Sequence, residues 1–582
     1  MLISYYMTAA LASLASLCLS SVSARFLGPM DPAPVDISGK DSIVRATWEN
    51  ITSRLDQHFS GKERSTLLAS LESHTFSLGV FSTHDAEAAG NLQYHHTGPD
   101  VKNASNGVNT VNGDSIYRVA SLSKLFTVFA GLIELKPLDW NLPLAEIFPE
   151  IAELPNDDPI RHVDWHAVTP LNLASQISGV PRDGKPFDAG DVWYTLLGLT
   201  GESPVDPATL GFPPLNAEEV KASVPCKSYN CSAVDYIRGL QGPTFVPWQT
   251  PGYADTGFIL LGQATARLTN MTIEEYYRRA VLDPLGMSKT IVITPTEKGF
   301  PGYVVVAPLE GFAVEGGITS ASGGVFSTTN DLAKLGTRKW MKPSSFMAHP
   351  DFARGMGWEI YRYTHRGTGH ITDLYTKLGD SGSYSSYLVL VPDYDVGFSV
   401  LQASGIADAT ARGAATQLLA DMVSEAILPA LQTQAAVEAK RSFAGTYTDG
   451  KNSSLTLTYN ETASNGAGLT LVSFTSEGHD MMAQLSTRLG GTQLVLQPAI
   501  AASGRPARQL SFQATPVVDP VVEGAATGLF SKQFAVNSDW IVNNVVTYGG
   551  QGLGTFIFDL STQGEVTAVT PAFLLKACRR HN

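Results

Sequence analysis

Cysteine and charged residues are both scarce in this chain of 582 residues. It has four cysteines, in no spacing typical of a zinc site, and only 16% of its residues are charged. Acidic residues outnumber basic ones by 54 to 40, which gives a formal net charge of −14. With no basic stripe along the chain, this balance argues against a nucleic-acid partner. The G-x-S-x-G elbow of the α/β-hydrolases is also missing.

Long apolar runs are missing beyond the N-terminus. No later segment reaches the roughly 18 uninterrupted apolar residues of a membrane helix. Residues 1–24 carry no charged side chain, are rich in Leu, Ala and Ser, and end in Val22-Ser23-Ala24. We interpret them as a secretory signal cleaved after Ala24, and the alternative is an uncleaved anchor with a short apolar core. The expectation is a secreted, extracellular protein without a membrane partner after cleavage.

Secretion predicts two covalent modifications. N-linked glycans are expected at the six N-x-S/T sequons, which are Asn50, Asn103, Asn230, Asn270, Asn452 and Asn460. Cys226 and Cys231 could close a small disulfide loop. Cys18 would leave with the signal, so Cys578 would remain as a free thiol or pair with another chain.

Helical and strand patterns alternate in the first 440 residues. The run at 74–82 predicts a strand, and 385–404 predicts two strands around a Pro-Asp-Tyr-Asp turn. Residues 257–268 and 271–286 have helical periodicity. The Ala- and Leu-rich stretch 409–441 predicts a helix that breaks near Pro429.

The character of the sequence changes at about residue 440. Short runs of β-forming residues follow, separated by Asn, Gly and Ser: FAGTYTD, SSLTLTYN, GLTLVSF, TQLVLQPA, RQLSFQAT and GTFIFDL. We therefore predict a signal at 1–24, an N-terminal extension at 25–70, an α+β domain at 71–440 and an antiparallel β domain at 441–582.

One serine and one lysine stand three residues apart at the start of an apolar run. In VASLSKLFTVFAGL (119–132), Ser121 and Lys124 fall on the same face of a helix. The helix N-terminus favours a developing negative charge on the serine oxygen. Partial burial lowers the pKa of a lysine, and a neutral amine can take the serine proton. The spacing therefore predicts a nucleophile with its base one turn away.

Two further segments accompany this pair, PGYADTGFILLG (251–262) and TKLGDSGSYSS (376–386). Together with VASLSK they resemble the three signature elements of the serine β-lactamase and penicillin-binding-protein family, in its class C-like branch. Three connecting segments are similar to those of the family and come in the same order: VTPLNLASQISGVPRD, PLGMSKT and SGGVFSTTNDLAKL. The resemblance covers about residues 74–430, and the C-terminal β region resembles the accessory domains of secreted fungal members.

The resemblance implies the fold and three catalytic residues. It implies an antiparallel sheet flanked by helices with a helical subdomain, followed here by the all-β domain. Ser121 matches the nucleophile that forms an acyl-enzyme, and Lys124 matches the lysine that activates it. Tyr253 matches the tyrosine that carries a proton to or from the leaving group.

The third motif implies the substrate-binding side of the site. Lys377 and Gly379 match its ends, and its lysine would attract a carboxylate or carbonyl. The backbone N–H groups of Ser121 and Asp380 would form the oxyanion hole, and Ser381 would line the pocket.

The chain departs from the family pattern at three positions. Asp255 stands where the second motif has Asn, and an ionised carboxylate cannot donate a hydrogen bond to a substrate. An anionic Asp255 would favour the protonated form of Lys124 and leave Tyr253, as phenolate, to act as base. Leu378 replaces the usual hydroxyl residue of the third motif, and Gln176 stands where many relatives have His.

Two other interpretations compete with an acyl-serine hydrolase. GDSGS (379–383) resembles the serine loop of chymotrypsin-like proteases, which would make Ser381 the nucleophile, but no histidine stands in the required setting. A catalytically inactive binding protein would keep the fold and lose turnover, and Asp255 is the feature that favours it.

The expected function is therefore hydrolysis or transfer of an acyl group from a small ester, amide or lactone. The substrate is a small molecule, and neither a metal nor an organic cofactor is expected.

Overall fold

The computed structural model describes most of the chain outside the N-terminus. The described residues are 28–182, 231–240, 242–292, 294–307, 309–312, 317–335, 341–406, 408–461, 467–489, 493–502, 508–517, 546–548, 551–561, 564–574 and 577–580. The predicted signal peptide lies outside these ranges, as do Cys226 and Asn230. Within the ranges, every helix falls short of the length and apolarity that a bilayer crossing needs.

An antiparallel sheet forms the centre of the first domain. The strands up to residue 403 are β1 Thr75–Ser82, β2 Gln93–His96, β3 Tyr117–Arg118, β4 Phe326–Ser327, β5 Pro343–Phe346, β6 Phe352–Gly355, β7 Glu359–Thr364, β8 Ile371–Ser381, β9 Tyr384–Val391 and β10 Val396–Ala403. Eight of these described strands pair in the order β2-β1-β10-β9-β8-β7-β6-β5, and β3 pairs with β4 separately. The predicted strands at 74–82 and 385–404 are thus confirmed, and the first and last parts of the domain meet in one sheet.

Helices cover both faces of this sheet. The longest described helices are α1 Ile43–Phe59, α2 Ser123–Glu134, α3 Asp255–Thr269 and α4 Ala409–Phe443. The shorter ones are Ala88–Asn91, Pro99–Lys102, Leu144–Ile147, Pro170–Ala174, Ala233–Arg238, Ile273–Tyr277, Leu309–Phe312, Ser320–Gly323, Thr329–Leu332 and Met481–Leu489.

Two apolar cores fix the position of the long helices. One core combines α2 and α3 with one face of the sheet, through side chains such as Phe126, Leu261 and Leu388. The other combines α1 and α4 with the opposite face, through side chains such as Trp48 and Leu419. Because both faces are covered, β9 and β10 are buried along their whole length. The predicted α+β class is therefore confirmed.

Helix α4 passes through Pro429 without a break, so the predicted interruption is wrong. A proline inside a helix costs roughly 3 kcal/mol, because it removes one backbone hydrogen bond and crowds the preceding turn. Pro429 is on the exposed side, where water can bond the freed carbonyl. Its neighbours Ile427, Leu428 and Leu431 are buried, and each contributes about 1.5–3 kcal/mol. Their burial offsets the cost of the proline.

A second antiparallel sheet follows α4. Its described strands and those of a small separate pair are β11 Gly445–Thr448, β12 Ser454–Asn460, β13 Gly468–Ser476, β14 His479–Asp480, β15 Gln493–Ala502, β16 Arg508–Val517, β17 Thr547–Tyr548, β18 Gln551–Gly552, β19 Thr555–Leu560, β20 Val566–Pro571 and β21 Cys578–Arg580. The order in the sheet is β12-β11-β21-β20-β19-β16-β15-β13-β14, and β17 pairs with β18. Each of the six predicted β runs contains a strand.

The predicted boundary at residue 440 and the predicted extension at 25–70 fall on packed structure. Residue 440 lies in the last turn of α4, whose Ala439 and Phe443 belong to the core of the second sheet. The extension contains α1 and a segment that follows α4 toward the second sheet. In that segment, the backbone N–H of Val35 donates a hydrogen bond to Glu438 on α4, and Asp31 accepts one from the hydroxyl of Tyr459 at 2.7 Å.

Candidate active site

A strained turn places Ser121 at the start of α2. After β3 the chain enters a 3₁₀ turn at Ala120–Leu122, in which Ala120 has a left-handed backbone with φ of 46°. A residue with a Cβ rarely adopts this conformation, so the surrounding contacts must hold it. The Ser123 hydroxyl donates to the Ala120 carbonyl at 2.6 Å and accepts from the backbone N–H of Val325 at 2.9 Å. Ser121 is therefore fixed just ahead of the helix, half-buried.

Lys124 is buried one turn later and meets three oxygen atoms. Its Nζ lies 2.9 Å from Ser121 Oγ, 2.5 Å from Asp255 Oδ1 and 2.9 Å from the carbonyl oxygen of Ser322. An ammonium group has three N–H donors, and a neutral amine has only two. The three acceptors therefore match the protonated lysine.

Asp255 occupies the first residue of α3. The helix N-terminus and the ammonium of Lys124 both stabilise a carboxylate at this position. The Lys124 side chain is 0% exposed, whereas that of Asp255 is 24% exposed. We refer to Lys124 and Asp255 as the helix-side pair.

Tyr253 stands two residues ahead of Asp255, with its hydroxyl 2.8 Å from Ser121 Oγ. Cationic groups of Lys124, Lys377 and Arg182 lie 5.0, 5.2 and 5.6 Å from the centre of its ring. Burial raises the pKa of the phenol to about 12, an effect that Lys377 opposes and Asp255 strengthens. Tyr253 is therefore a neutral phenol at neutral pH.

Lys377 meets a carboxylate that the motif analysis missed. Its Nζ donates to Glu359 Oε1 and to the Leu378 carbonyl, both at 2.7 Å, and its side chain is 1% exposed. Glu359 also accepts from the backbone N–H of Leu378 at 3.1 Å. Burial raises the pKa of this carboxyl, but Lys377 and Arg354 outweigh burial, so the net pKa is lowered and Glu359 is ionised. We refer to Lys377 and Glu359 as the strand-side pair.

The end of β8 forms an open edge beside Ser121. Strand β7 begins at Glu359, which pairs with Thr376, so β8 extends past it on that side. Successive N–H groups of a strand point to opposite edges, so the N–H of Asp380 points to the same edge as that of Leu378. On its other side β8 pairs with β9, where Asp380 lies opposite Ser385.

Gly379 brings this edge close to the turn that holds Ser121. A Cβ on Gly379 would lie 2.3 Å from the Val119 carbonyl oxygen and 3.1 Å from the Ser121 nitrogen. Only glycine therefore permits this approach of strand and turn. Ser381 ends the strand opposite Tyr384, and the Asp380 carboxylate accepts a hydrogen bond from Ser385 at 2.5 Å.

Gln176 acts through its backbone. It has a left-handed conformation with φ of 58°, and its carbonyl accepts a hydrogen bond from Gly252 at 2.9 Å. The bond fixes the segment that leads into Tyr253.

The remaining predicted positions lie away from this site. Cys578 is buried in the second sheet with a free thiol. The pairing of Cys226 with Cys231 stays a prediction, because Cys226 lies outside the described residues. Among the sequons in the described ranges, Asn460 is half-buried and the exposed ones are Asn50, Asn103, Asn270 and Asn452. No three His, Cys, Asp or Glu side chains in those ranges cluster tightly enough to hold a metal ion.

Comparisons with known proteins match the chain in two blocks. The family model described as "Beta-lactamase" matches residues 80–421, and one described as "Beta-lactamase-like-like, C-terminal domain" matches residues 435–582. A beta-lactamase-like protein of Arthroderma benhamiae is 26% identical over 547 residues, which cover 89% of this chain and 84% of that protein.

Shorter alignments connect the chain to other proteins. Two proteins named as probable hydrolases, from a Phoma species and from Cochliobolus lunatus, are each 22% identical over 64% of this chain. The alignments cover 61% and 62% of those two proteins. A beta-lactamase/D-alanine carboxypeptidase from Yersinia pestis, solved with citrate, aligns at 17% identity with a TM-score of 0.41, over 64% of this chain and 99% of that one.

The first family model spans more than half of the chain and includes Ser121, Lys124, Tyr253 and Lys377. This chain therefore belongs to the beta-lactamase family.

Proposed function

We propose that this protein is a secreted serine hydrolase or acyltransferase that acts on a small ester, amide or lactone through an acyl-Ser121 intermediate. One observation carries the proposal. The Ser121 oxygen lies within 2.9 Å of both the Lys124 ammonium and the Tyr253 hydroxyl, although Tyr253 is 132 residues away in sequence. A serine held between a cation and a phenol can be made nucleophilic.

The proposed acylation step uses Tyr253 as the base. Lys124 already donates to the Ser121 oxygen, so the serine proton can point toward the phenol oxygen. The phenolate form of Tyr253 would accept that proton while the serine oxygen bonds to the substrate carbonyl carbon. The carbonyl π electrons move onto its oxygen, where the N–H groups of Ser121 and Asp380 would stabilise the negative charge.

Collapse of this intermediate would release the leaving group. The electron pair on the oxyanion re-forms the carbonyl, the bond to the leaving group breaks, and Tyr253 returns its proton to that group. The acyl group is then an ester of Ser121. In the second half, the Tyr253 phenolate takes a proton from water or from an acceptor alcohol, whose oxygen bonds to the ester carbonyl carbon. When this intermediate collapses, the bond to Ser121 breaks and Tyr253 returns the proton to the Ser121 oxygen.

The main energetic demand is the ionisation of Tyr253. With a pKa of about 12, the phenolate is roughly one part in 10⁵ at pH 7, which costs about 7 kcal/mol. This free-energy cost is smaller than the 8–23 kcal/mol by which enzymes typically lower reaction barriers. It predicts an enzyme whose rate increases with pH.

An acylating probe tests the proposal directly. A fluorophosphonate reagent should label the wild type, and Ser121→Ala should abolish the label. Ser70→Ala, which changes an exposed serine shortly before β1, is the matched control and should label normally. If Ser381→Ala loses the label while Ser121→Ala keeps it, the nucleophile assignment is wrong.

The second candidate function is a binding protein without turnover. The contact between Asp255 and Lys124 favours it, because the carboxylate holds the lysine as a cation and removes it as a base. A folded wild type that no fluorophosphonate, penicillin or ester probe acylates would support this candidate over the enzyme.

Secretion is part of the proposal and has its own test. Its support is the apolar N-terminal segment together with sequons at exposed positions. Protein from a eukaryotic host should lose mass on treatment with an N-glycosidase and should begin after Ala24. A protein that keeps Met1 and carries no glycan would contradict this part.

A further inference from the structure

A short loop with exposed apolar side chains leads into Tyr253. Phe245, Val246 and Trp248 are 39%, 56% and 49% exposed. Apolar side chains that are scattered singly over a surface are common, but a cluster of them often marks a binding site. This cluster lies within eight residues of the phenol that contacts Ser121. We refer to residues 244–252 as the aromatic loop.

The backbone of the aromatic loop is strained at Trp248. Its φ is 69°, in the left-handed region that glycine occupies readily and a bulky residue rarely adopts. Its N–H donates to the Ile177 carbonyl at 2.7 Å, which helps to hold this conformation. A glycine would adopt the same turn with less strain, so the turn itself does not require an indole. Strain of this kind is concentrated at functional sites.

Both ends of the aromatic loop are fixed to one segment of the first domain. The N–H groups of Phe245 and Gly252 donate to the carbonyls of Gly179 and Gln176, at 3.3 and 2.9 Å. A Cβ on Gly252 would lie 3.2 Å from two carbons of the Phe245 ring. The Phe245 ring therefore lies against the residue that directly precedes Tyr253.

The role of Tyr253 indicates which part of a substrate the aromatic loop would meet. The Tyr253 hydroxyl lies 2.8 Å from Ser121 Oγ and, in the proposed reaction, returns its proton to the leaving group. The leaving group must therefore come within hydrogen-bond distance of the phenol. The carbonyl oxygen of the acyl group would instead be held by the N–H groups of Ser121 and Asp380. The aromatic loop is thus on the leaving-group side of the site.

We infer that Phe245 and Trp248 form a subsite for an aromatic leaving group, and that Trp248 is a specificity-determining residue. This inference rests on the proposed function, because it concerns the substrate of the same site. Pairs of aromatic rings attract each other beyond the effect of the buried area alone, so Trp and Phe favour an aromatic ring over an alkyl group of equal size. The substrate class is therefore an ester or amide whose released alcohol or amine has an aromatic ring.

Esters with one acyl group and different alcohols test the subsite. Benzyl, cyclohexylmethyl and methyl butyrate all give butyryl-Ser121, so their kcat/KM values differ only through acylation. The wild type should have a kcat/KM about tenfold higher for benzyl than for methyl butyrate, with cyclohexylmethyl butyrate between them. Methyl hydrocinnamate, which has its ring on the acyl group, should have no such advantage over methyl butyrate.

Trp248→Gly distinguishes a binding role from a structural one. It should lower the benzyl-to-methyl ratio of kcat/KM about fivefold, because the ring partner of the substrate is lost. The urea midpoint of unfolding should stay the same or increase, because the backbone strain is relieved. Phe245→Ala should also lower the ratio. Tyr548→Ala, which changes an exposed aromatic side chain on β17, is the matched control and should leave the ratio unchanged.

Three outcomes would overturn the inference: a wild type that does not prefer the benzyl ester to both other butyrates, an equal preference for the ring on the acyl group, or a folded Trp248→Gly with an unchanged ratio. Failure of the proposed function looks different, because the wild type would then hydrolyse none of these esters and would not be labelled at Ser121.

Discussion

The helix-side pair and the strand-side pair are chemically alike but differently placed. Both join a fully buried lysine to a carboxylate, and both ammonium groups lie about 5 Å from the centre of the Tyr253 ring. The Lys124 ammonium directly contacts Ser121 Oγ, and the side chain of its partner Asp255 is 24% exposed. The described hydrogen-bond acceptors of the Lys377 ammonium are Glu359 and the Leu378 carbonyl. The side chain of its partner Glu359 is 10% exposed. The two pairs therefore have the same composition but differ in their contact with Ser121 and in their exposure.

The largest effect should come from the phenol that the two pairs share. Tyr253→Phe should lower kcat/KM by about 10²–10⁴-fold, because proton transfer to and from Ser121 would lose its carrier. In the wild type, kcat/KM should increase about tenfold per pH unit from pH 7 toward 10, because the pKa of Tyr253 is about 12. A pH–rate profile of both proteins on a neutral ester measures this. An unchanged rate in Tyr253→Phe, or a wild-type profile that is flat above pH 7, would contradict the role.

Replacing each lysine by methionine distinguishes the contributions of the two pairs to activity. Lys124→Met should lower kcat/KM by about 10³-fold, because the Ser121 oxygen loses its charge-assisted donor. Lys377→Met should cost only about tenfold for each unit by which the Tyr253 pKa increases when its nearby cation is lost. Single-turnover acylation with a neutral ester gives both values. Equal losses in the two variants would show that the pairs do not differ in this way.

Gly379→Ala tests the position of the strand against the turn that holds Ser121. The added methyl group would collide with the Val119 carbonyl, so the β8 edge must move away from Ser121. We expect kcat/KM to fall by about 10²-fold, as when one oxyanion donor is displaced. Gly413→Ala in α4 is the matched control, because a Cβ there meets open space. Circular dichroism should be normal in both, and full activity in Gly379→Ala would rule out a close approach.

The last comparison concerns stability and not activity. Glu359→Gln should lower the free energy of unfolding by about 3–5 kcal/mol, because it leaves a buried ammonium without its anion. Asp255→Asn should cost about 1–2 kcal/mol, because the position is more exposed and the Ser322 carbonyl still accepts from Lys124. Urea unfolding at pH 7 compares them. A larger loss of unfolding free energy in Asp255→Asn than in Glu359→Gln would contradict the view that the strand-side pair is the more buried of the two.

The sequence predicted the helix-side pair better than the strand-side pair. Ser121 and Lys124 are one helical turn apart, so their proximity follows from local geometry. Tyr253 and Asp255 were predicted from a motif, because no rule of sequence spacing places residues 253 and 255 beside Ser121. Glu359 was missed because only the pairing of β7 with β8 brings it beside Lys377. Its one sequence signal was an acidic residue between Trp358 and Ile360, in an otherwise apolar stretch.

The strands were predictable because alternation and turn residues mark them locally. The continuation of α4 through Pro429 was not predictable, because it depends on which side of the helix faces water. The same limit applies to the extension at 25–70, whose helix α1 has its partner about 370 residues later.

Helix α4 supplies apolar side chains to the second core of the first domain and to the core of the second sheet. A protease cut within the helix would therefore disturb both cores at once. The two sheets should therefore melt as one cooperative unit, with the second sheet adding to the stability of the first domain.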